Sequence, residues 1–242
     1  MIDIKIEGLT KKYKDVVAVD NLTLEIKKGE LLSLLGVNGA GKTTTIKMLS
    51  CLTEPTDGDA FLLGKSITKD KNLVKSLIAV SPQETAVAPN LTAKENLELI
   101  CGVHGFSKAK GKQKIDEITS LLSLNSILTK KANKLSGGWQ RRLSIAMALI
   151  SEPKILFLDE PTLGLDVLAR SELWDLIKAL KGNVTIILTT HYMEEAEELS
   201  DRIAIMKDGK LLTVDSPSNI KEKTNTDSIE KAFISIVKGV TI

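Results

Sequence analysis

Five residues in the stretch Leu31 to Leu52, LLSLLGVNGAGKTTTIKMLSCL, could hold a chain of phosphates. Gly36, Gly39, Gly41, Lys42 and Thr43 follow the spacing G-x-x-x-x-G-K-T of a phosphate-binding loop. Glycines let a backbone curl around a triphosphate with its N–H groups turned inward and no Cβ in the way. Lys42 would place an ammonium between the β- and γ-phosphates, and the Thr43 hydroxyl would ligate Mg²⁺. The helix that follows would aim its positive N-terminal end at the anion. Far along the chain, Ile155 to Glu160, ILFLDE, reads as a buried strand ending in two carboxylates. An apolar strand beside the phosphate-loop strand would deliver Asp159 to the Mg²⁺ shell at the carboxyl edge of a sheet. Glu160 would then stand beyond it, near the γ-phosphate, as a base or orienter for water.

Other positions admit either a ligand or an ordinary structural role. Gln83 follows an expected strand, Leu77 to Val80, and its amide oxygen could touch Mg²⁺ or the attacking water without adding charge. His191 follows an expected strand, Thr185 to Leu188, and could donate a hydrogen bond to the γ-phosphate. Ser136, Gly137 and Gly138, in LSGGWQ, open a helix as an anion site or as a plain N-cap. Asp166 could cap the helix Val167 to Leu180, contact a second subunit, or do both. Tyr13 precedes the apolar cluster Val16, Val17 and Val19, where its ring could stack on a purine or simply cover core.

The elements that must position these residues alternate between strand and helix. Ile2 to Ile6 and Leu22 to Ile26 alternate like strands, and EPTDGDAFLLGK carries turn residues around a short strand. From Leu91 to about Ile150 the apolar spacing becomes helical, with no heptad sustained through it. Lys108 to Lys114 reads as a solvated basic face, and His104, in a Gly-flanked turn, is given no role. A helix is expected from Asp227 to Val237. The expected fold class is α/β, a phosphate-loop NTPase core with an antiparallel β portion near the N-terminus and an inserted helical subdomain. The expected organisation is one domain over residues 1–242, with the helical subdomain at about 84–150 and a short tail at about 215–242.

A chain of 242 residues with 43% hydrophobic content can bury a substantial core. Lys+Arg 33 against Asp+Glu 31 leaves a net charge of +2, too small a field to draw in nucleic acid. Cys51 and Cys101, in apolar helical contexts, suit reduced thiols and hence the cytoplasm. The N-terminus, MIDIKIEGLT, does not read as a signal peptide, and the apolar runs are of core-strand length, short of a membrane span. A membrane role would pass through a partner.

The ordered set of Tyr13, GVNGAGKT at 36–43, Gln83, LSGGWQ at 135–140, ILFLDE at 155–160, LGLD at 163–166 and His191 resembles the nucleotide-binding domain of ABC (ATP-binding cassette) transporters. The resemblance spans about residues 2–214. It implies an ATPase that uses ATP and Mg²⁺ and powers a separate transmembrane permease subunit from the cytoplasmic face of a membrane. It implies that two such domains face head to tail, an ATP-dependent homodimer, with ATP between the phosphate loop of one and Ser136 to Gly138 of the other. Carried onto this sequence, the nucleotide contacts would be Tyr13, Gly36, Asn38, Gly39, Ala40, Gly41, Lys42, Thr43, Thr44, Ser136, Gly137, Gly138 and Asp166. Thr43, Gln83 and Asp159 would hold the metal, and Glu160, His191 and Gln83 would support hydrolysis. Gln83 would also sense the permease, whose cytoplasmic helix would dock near Ala86, Val87 and Leu91. Trp139 departs from the Gln or other polar residue common at its position and alters the expected local contacts. The stretches LLGVNGAGKTTTIKML and TTHYMEEAEELSDRIAIMKDGKLL, and the tail around DSIEKAFISI, look most like the exporter branch that handles drugs, polysaccharides, lipids or ions.

Overall fold

The computed structural model describes residues 1–239. The chain opens as a long antiparallel hairpin, β1 (Ile2–Tyr13) and β2 (Val16–Lys27). Both strands run well past the expected segments. Their register shifts between Ile6 and Leu9 and again between Leu9 and Lys12. Such bulges break the period-two alternation on which a sequence reading relies, while the ladder continues. β4 (Asp57–Leu62) and β5 (Lys65–Ser66) complete a four-stranded sheet in the order β2-β1-β4-β5.

The second sheet has six strands in the order β10-β9-β3-β8-β7-β6. These are β3 (Leu31–Leu35), β6 (Ile78–Ser81), β7 (Ile155–Asp159), β8 (Thr185–Thr190), β9 (Arg202–Lys207) and β10 (Lys210–Asp215). All neighbours pair in parallel except β10, which returns antiparallel along β9. The central strands are apolar throughout because both their faces are covered, as parallel sheets require. Ile155 and Phe157 pack toward the N-terminal sheet and helix α1 (Lys42–Leu49), with Leu32, Leu34 and Met206. Leu156 and Leu158 point the other way, into a cluster shared with the helical segment.

That segment lies between β6 and β7 and comprises α3 (Ala93–Val103), α4 (Lys108–Leu121) and α5 (Gly137–Leu149). α3 begins with a capping box, in which Glu95 N donates to Thr92 Oγ1 and Thr92 N donates to Glu95 Oε2. α2 (Lys71–Leu77) precedes β6, so Leu77 ends a helix and does not open the strand. Along the basic stretch, Lys114 is half-buried between Glu117 and Glu152, whereas Lys108, Lys110 and Lys112 are exposed. α6 (Val167–Leu180) matches its expected limits, and α7 (Met193–Leu199) follows β8. The tail forms α8 (Pro217–Lys223) and α9 (Ile229–Lys238). Ile229, Ala232 and Phe233 of α9 pack with Leu35, Ala196, Ile203 and Ile205. The last residues of the expected tail, 240–242, lie outside the described residues.

The expectation that β7 lies beside β3 is corrected, because β8 stands between them. Buried apolar strands carry no mark of their order in a sheet, so adjacency cannot be read from β7 alone. Asp159 still reaches the phosphate loop, through the end of β8: it is in register with Thr189, which is in register with Leu34.

Candidate functional site

β3 runs out at Leu35 into the loop 36–41, and the chain re-enters a helix at Lys42. Glycine is required at two of these positions. A Cβ on Gly36 would stand 2.5 Å from the Met206 carbonyl oxygen, and one on Gly41, whose φ is 99°, would stand 2.4 Å from that of Ala18. The loop is therefore pressed between the β9–β10 hairpin and β2, with Gly209 N donating to Ala40 O at 3.3 Å. Lys42 is buried, and its Nζ donates to the carbonyls of Gly36 at 2.7 Å and Val37 at 3.3 Å. The same Nζ lies 3.5 Å from Glu160 Oε1.

Glu160 is held from several sides. Its other carboxylate oxygen lies 2.5 Å from His191 Nδ1. Its backbone is in the left-handed region, φ 49°, a costly setting for a residue with a Cβ. That turn is secured by Glu160 N donating to Thr189 O at 3.1 Å and to Thr189 Oγ1 at 3.0 Å. Asp159 Oδ1 accepts from Thr43 Oγ1 at 3.1 Å and from Thr189 Oγ1 at 2.5 Å. A hydroxyl and a carboxylate therefore stand together at the start of α1, a hard-oxygen pair suited to Mg²⁺ with phosphate and water completing the shell. Among the described residues no cluster of three His, Cys, Asp or Glu side chains could hold a metal, so any ion here depends on such a mixed set.

These groups line one cavity of about 680 Å³. Of the candidate residues, it brings together Tyr13, Asn38, Gly39, Ala40, Gly41, Lys42, Thr43, Thr44, Gln83, Glu160 and His191. Tyr13 is 44% exposed at the far end, beside the exposed Val16 and Val17, with Lys11 Nζ 5.0 Å from its ring centroid. A flat apolar platform thus faces a cationic, N–H-rich loop across the cavity, the two ends that a base and a phosphate chain require. Gly36 and Asp159 stand just behind the lining.

Ser136, Gly137, Gly138 and Asp166 are outside this cavity. Ser136 is the N-cap residue of α5, but its hydroxyl makes no cap hydrogen bond. Gly137 and Gly138 face Leu165 and Ala169 at the start of α6. Asp166 caps α6, its Oδ1 accepting from Ala169 N at 2.9 Å. Of the residues expected at a docking surface, Ala86 lines a groove of about 240 Å³ with Ile78, Pro82, His104 and Met147. Val87 is half-buried, packed against the core of the helical segment, and neither it nor Leu91 is among the lining residues.

Sequence reasoning missed Thr189, Asp208 and Arg141. Thr189 was legible only as the end of a strand, although its hydroxyl joins both carboxylate residues. Asp208, at the β9–β10 turn, lines the cavity. Arg141 falls in the amphipathic stretch RRLSIAMALI, where its type alone gives it no role, and it is 4% exposed.

The family model for ABC transporter matches residues 19–163. The chain is similar to the human phospholipid-transporting ATPase ABCA3, 40% identical over 91% of this chain and 13% of that protein. It is similar also to the probable multidrug ABC transporter ATP-binding protein YbhF of Escherichia coli, 37% identical over 97% of this chain and 41% of that protein. It therefore spans less than half of either relative's length. Their names fall in the drug- and lipid-handling branch that the sequence resembles. The dimeric ATP-binding cassette MJ0796, solved in a post-hydrolysis state with ADP and Pi, superposes with a TM-score of 0.78, is 30% identical, and is matched over 88% of this chain and 98% of that one. The chain belongs to the ABC transporter family.

Proposed function

We propose that this chain hydrolyses ATP in the cavity described above and drives transport of a drug-like or lipid-like substrate through a separate membrane-spanning subunit. The observation that supports this best is Glu160, held between Lys42 and His191 beside the Thr43–Asp159 pair. Tyr13 stacks on the base, and Asn38 to Thr44 and Lys42 Nζ take the phosphates. Thr43, Asp159 and Gln83 would hold Mg²⁺, which when bound offsets the charge on the phosphate oxygens. Glu160 orients water and accepts its proton, and His191 fixes the Glu160 carboxylate by the bond from Nδ1. Ser136 to Gly138 and Asp166 serve a second copy, since they lie outside their own chain's cavity. The helical segment acts as a subdomain whose groove beside Ala86 receives the permease at the cytoplasmic face. No partner for nucleic acid is expected from a net charge of +2.

Two substitutions separate binding from chemistry. Glu160→Gln should lower kcat about a hundredfold or more while ATP still binds and the ATP-bound dimer accumulates. Lys42→Ala should weaken nucleotide binding itself. Turnover of Glu160→Gln at the wild-type rate, measured beside its size with ATP and Mg²⁺, would remove Glu160 from this role. For the partner, pull-down from detergent-solubilised membranes should recover a polytopic membrane protein, and Ala86→Asp should weaken that recovery without affecting ATP binding. Ala86 is the better probe than Val87, because Ala86 is exposed in the groove whereas Val87 is half-buried against the core, where a charge would also cost stability. Recovery of ribosomes or nucleic acid alone would reject the transport reading.

A further inference from the structure

The guanidinium of Arg141 is the only cation on α5 that reaches the carbonyls of both cavity loops among the described residues. Its Nη1 donates to Pro82 O at 2.5 Å, and Nη2 donates to Gln83 O at 2.5 Å and reaches Glu160 O at 3.4 Å. Three main-chain acceptors from two loops thus converge on one planar fork, a geometry that a lysine ammonium cannot reproduce. Arg141 sits at the fifth position of the helix whose first two residues are Gly137 and Gly138. The helix is one rigid rod at this length, so Ser136, Gly137 and Arg141 move together.

Burial works against the charge on Arg141, and the carboxylates of Asp159 and Glu195 work for it. Glu195 is fully buried on α7, and its Oε1 accepts from Trp174 Nε1 at 3.1 Å. The cation is therefore kept in the interior beneath the cavity, not at its mouth. Among the described residues none of its hydrogen bonds goes to a side chain. It holds the path of the backbone at Gln83 and Glu160, and so the direction in which those two side chains enter the cavity.

We propose that Arg141 is a positioning residue for hydrolysis, which carries any displacement of the start of α5 to Gln83 and Glu160. The inference rests on the ATPase reading above. It gives the helical segment a mechanical link to the water-activating end: α5 shifts when an anion or a second chain engages Ser136 to Gly138, and the fork draws both loops with it. Nucleotide binding itself, at Tyr13 and the loop 36–44, does not run through Arg141.

The test uses the full chain, with Arg141→Lys and Arg141→Gln beside wild type. Arg141→Lys keeps the charge and loses the fork. A misplacement of reacting groups by about 1 Å costs on the order of a hundredfold in rate, so kcat should fall roughly ten- to a hundredfold in Arg141→Lys and further in Arg141→Gln. The KM for ATP and the rise in Tm on adding ATP with Mg²⁺ should stay within about twofold of wild type, as expected when an interaction matters only to the chemical step. Wild-type kcat in Arg141→Lys overturns the inference. So does a loss of ATP affinity in step with kcat, or failure of both variants to fold, because each marks a purely structural residue. Absence of hydrolysis in the wild-type chain overturns the ATPase reading, and this inference falls with it.

Discussion

Each end of the cavity asks something different of its residues. At the phosphate end the requirement is for charge held in place: Glu160 accepts a strained backbone, φ 49°, because Thr189 bonds its N–H twice over and His191 bonds its carboxylate. At the base end the requirement is for surface. Tyr13 offers a ring with no donor or acceptor aimed at a purine edge, so it should bind adenine and guanine alike. Stacking of a base on an aromatic side chain contributes about 1–3 kcal/mol in single-stranded nucleic-acid complexes. Tyr13→Ala should therefore raise the apparent KM for both ATP and GTP about five- to a hundredfold, with kcat little changed, and Tyr13→Phe should be close to neutral. Steady-state kinetics with both nucleotides decide it: a KM for Tyr13→Ala equal to wild type would make the ring a packing residue.

Between elements, the least comfortable contact is Glu195 of α7 against Trp174 of α6. Burial pushes the Glu195 carboxyl above the usual glutamate value of 4.5, against the pull of Thr190, Thr162 and Trp174. Only the Trp174 bond is well formed, since Glu195 Oε2 and Thr162 Oγ1 are buried without a hydrogen bond of good geometry. A raised acid pKa means that the folded chain keeps a proton which the unfolded chain has already lost above 4.5. The folded state binds more protons in that window, so stability falls as pH rises through it. Glu195→Gln retains an acceptor for Trp174 and removes the titration. The Tm of wild type should drop more steeply than that of Glu195→Gln as pH is raised from about 5 to about 8. Parallel melting curves from the two proteins across this range would show that Glu195 does not titrate there.

At the scale of the whole molecule, four of the expected nucleotide contacts, Ser136, Gly137, Gly138 and Asp166, do not meet the rest. Ser136 to Gly138 lie at the start of α5 beside α6, outside the cavity that holds Lys42. Exposed apolar side chains cluster nearby, Val167 and Leu168 among them. In the function proposed above, a second copy approached head to tail would bring the cavity the contacts it lacks. Ser136 makes no cap hydrogen bond, so its replacement should leave α5 intact. Ser136→Arg should bind ATP within about twofold of wild type yet lose the ATP-dependent dimer and most hydrolysis, because only the contact across the interface is removed. Light scattering with ATP and Mg²⁺ on Ser136→Arg in the Glu160→Gln background provides the check; a dimer at wild-type yield would place the second half of the site elsewhere.

The sequence by itself determined the fold class, much of the architecture and the residue types that could do chemistry. The glycines at 36, 39 and 41, the buried run ending in Asp159 and Glu160, and the limits of α6 are local signals, set by backbone freedom, apolar runs and capping groups. Only the tertiary structure decided what depends on contacts between distant segments. It set β8 between β3 and β7, where order is fixed by which apolar faces are covered and leaves no trace in one strand. It half-buried Val87 against the core, and it buried Arg141, whose partners are carbonyls that any residue type carries. A main-chain oxygen has no signature in a sequence, so a residue whose partners are the carbonyls of Pro82, Gln83 and Glu160 was invisible until the chain was folded.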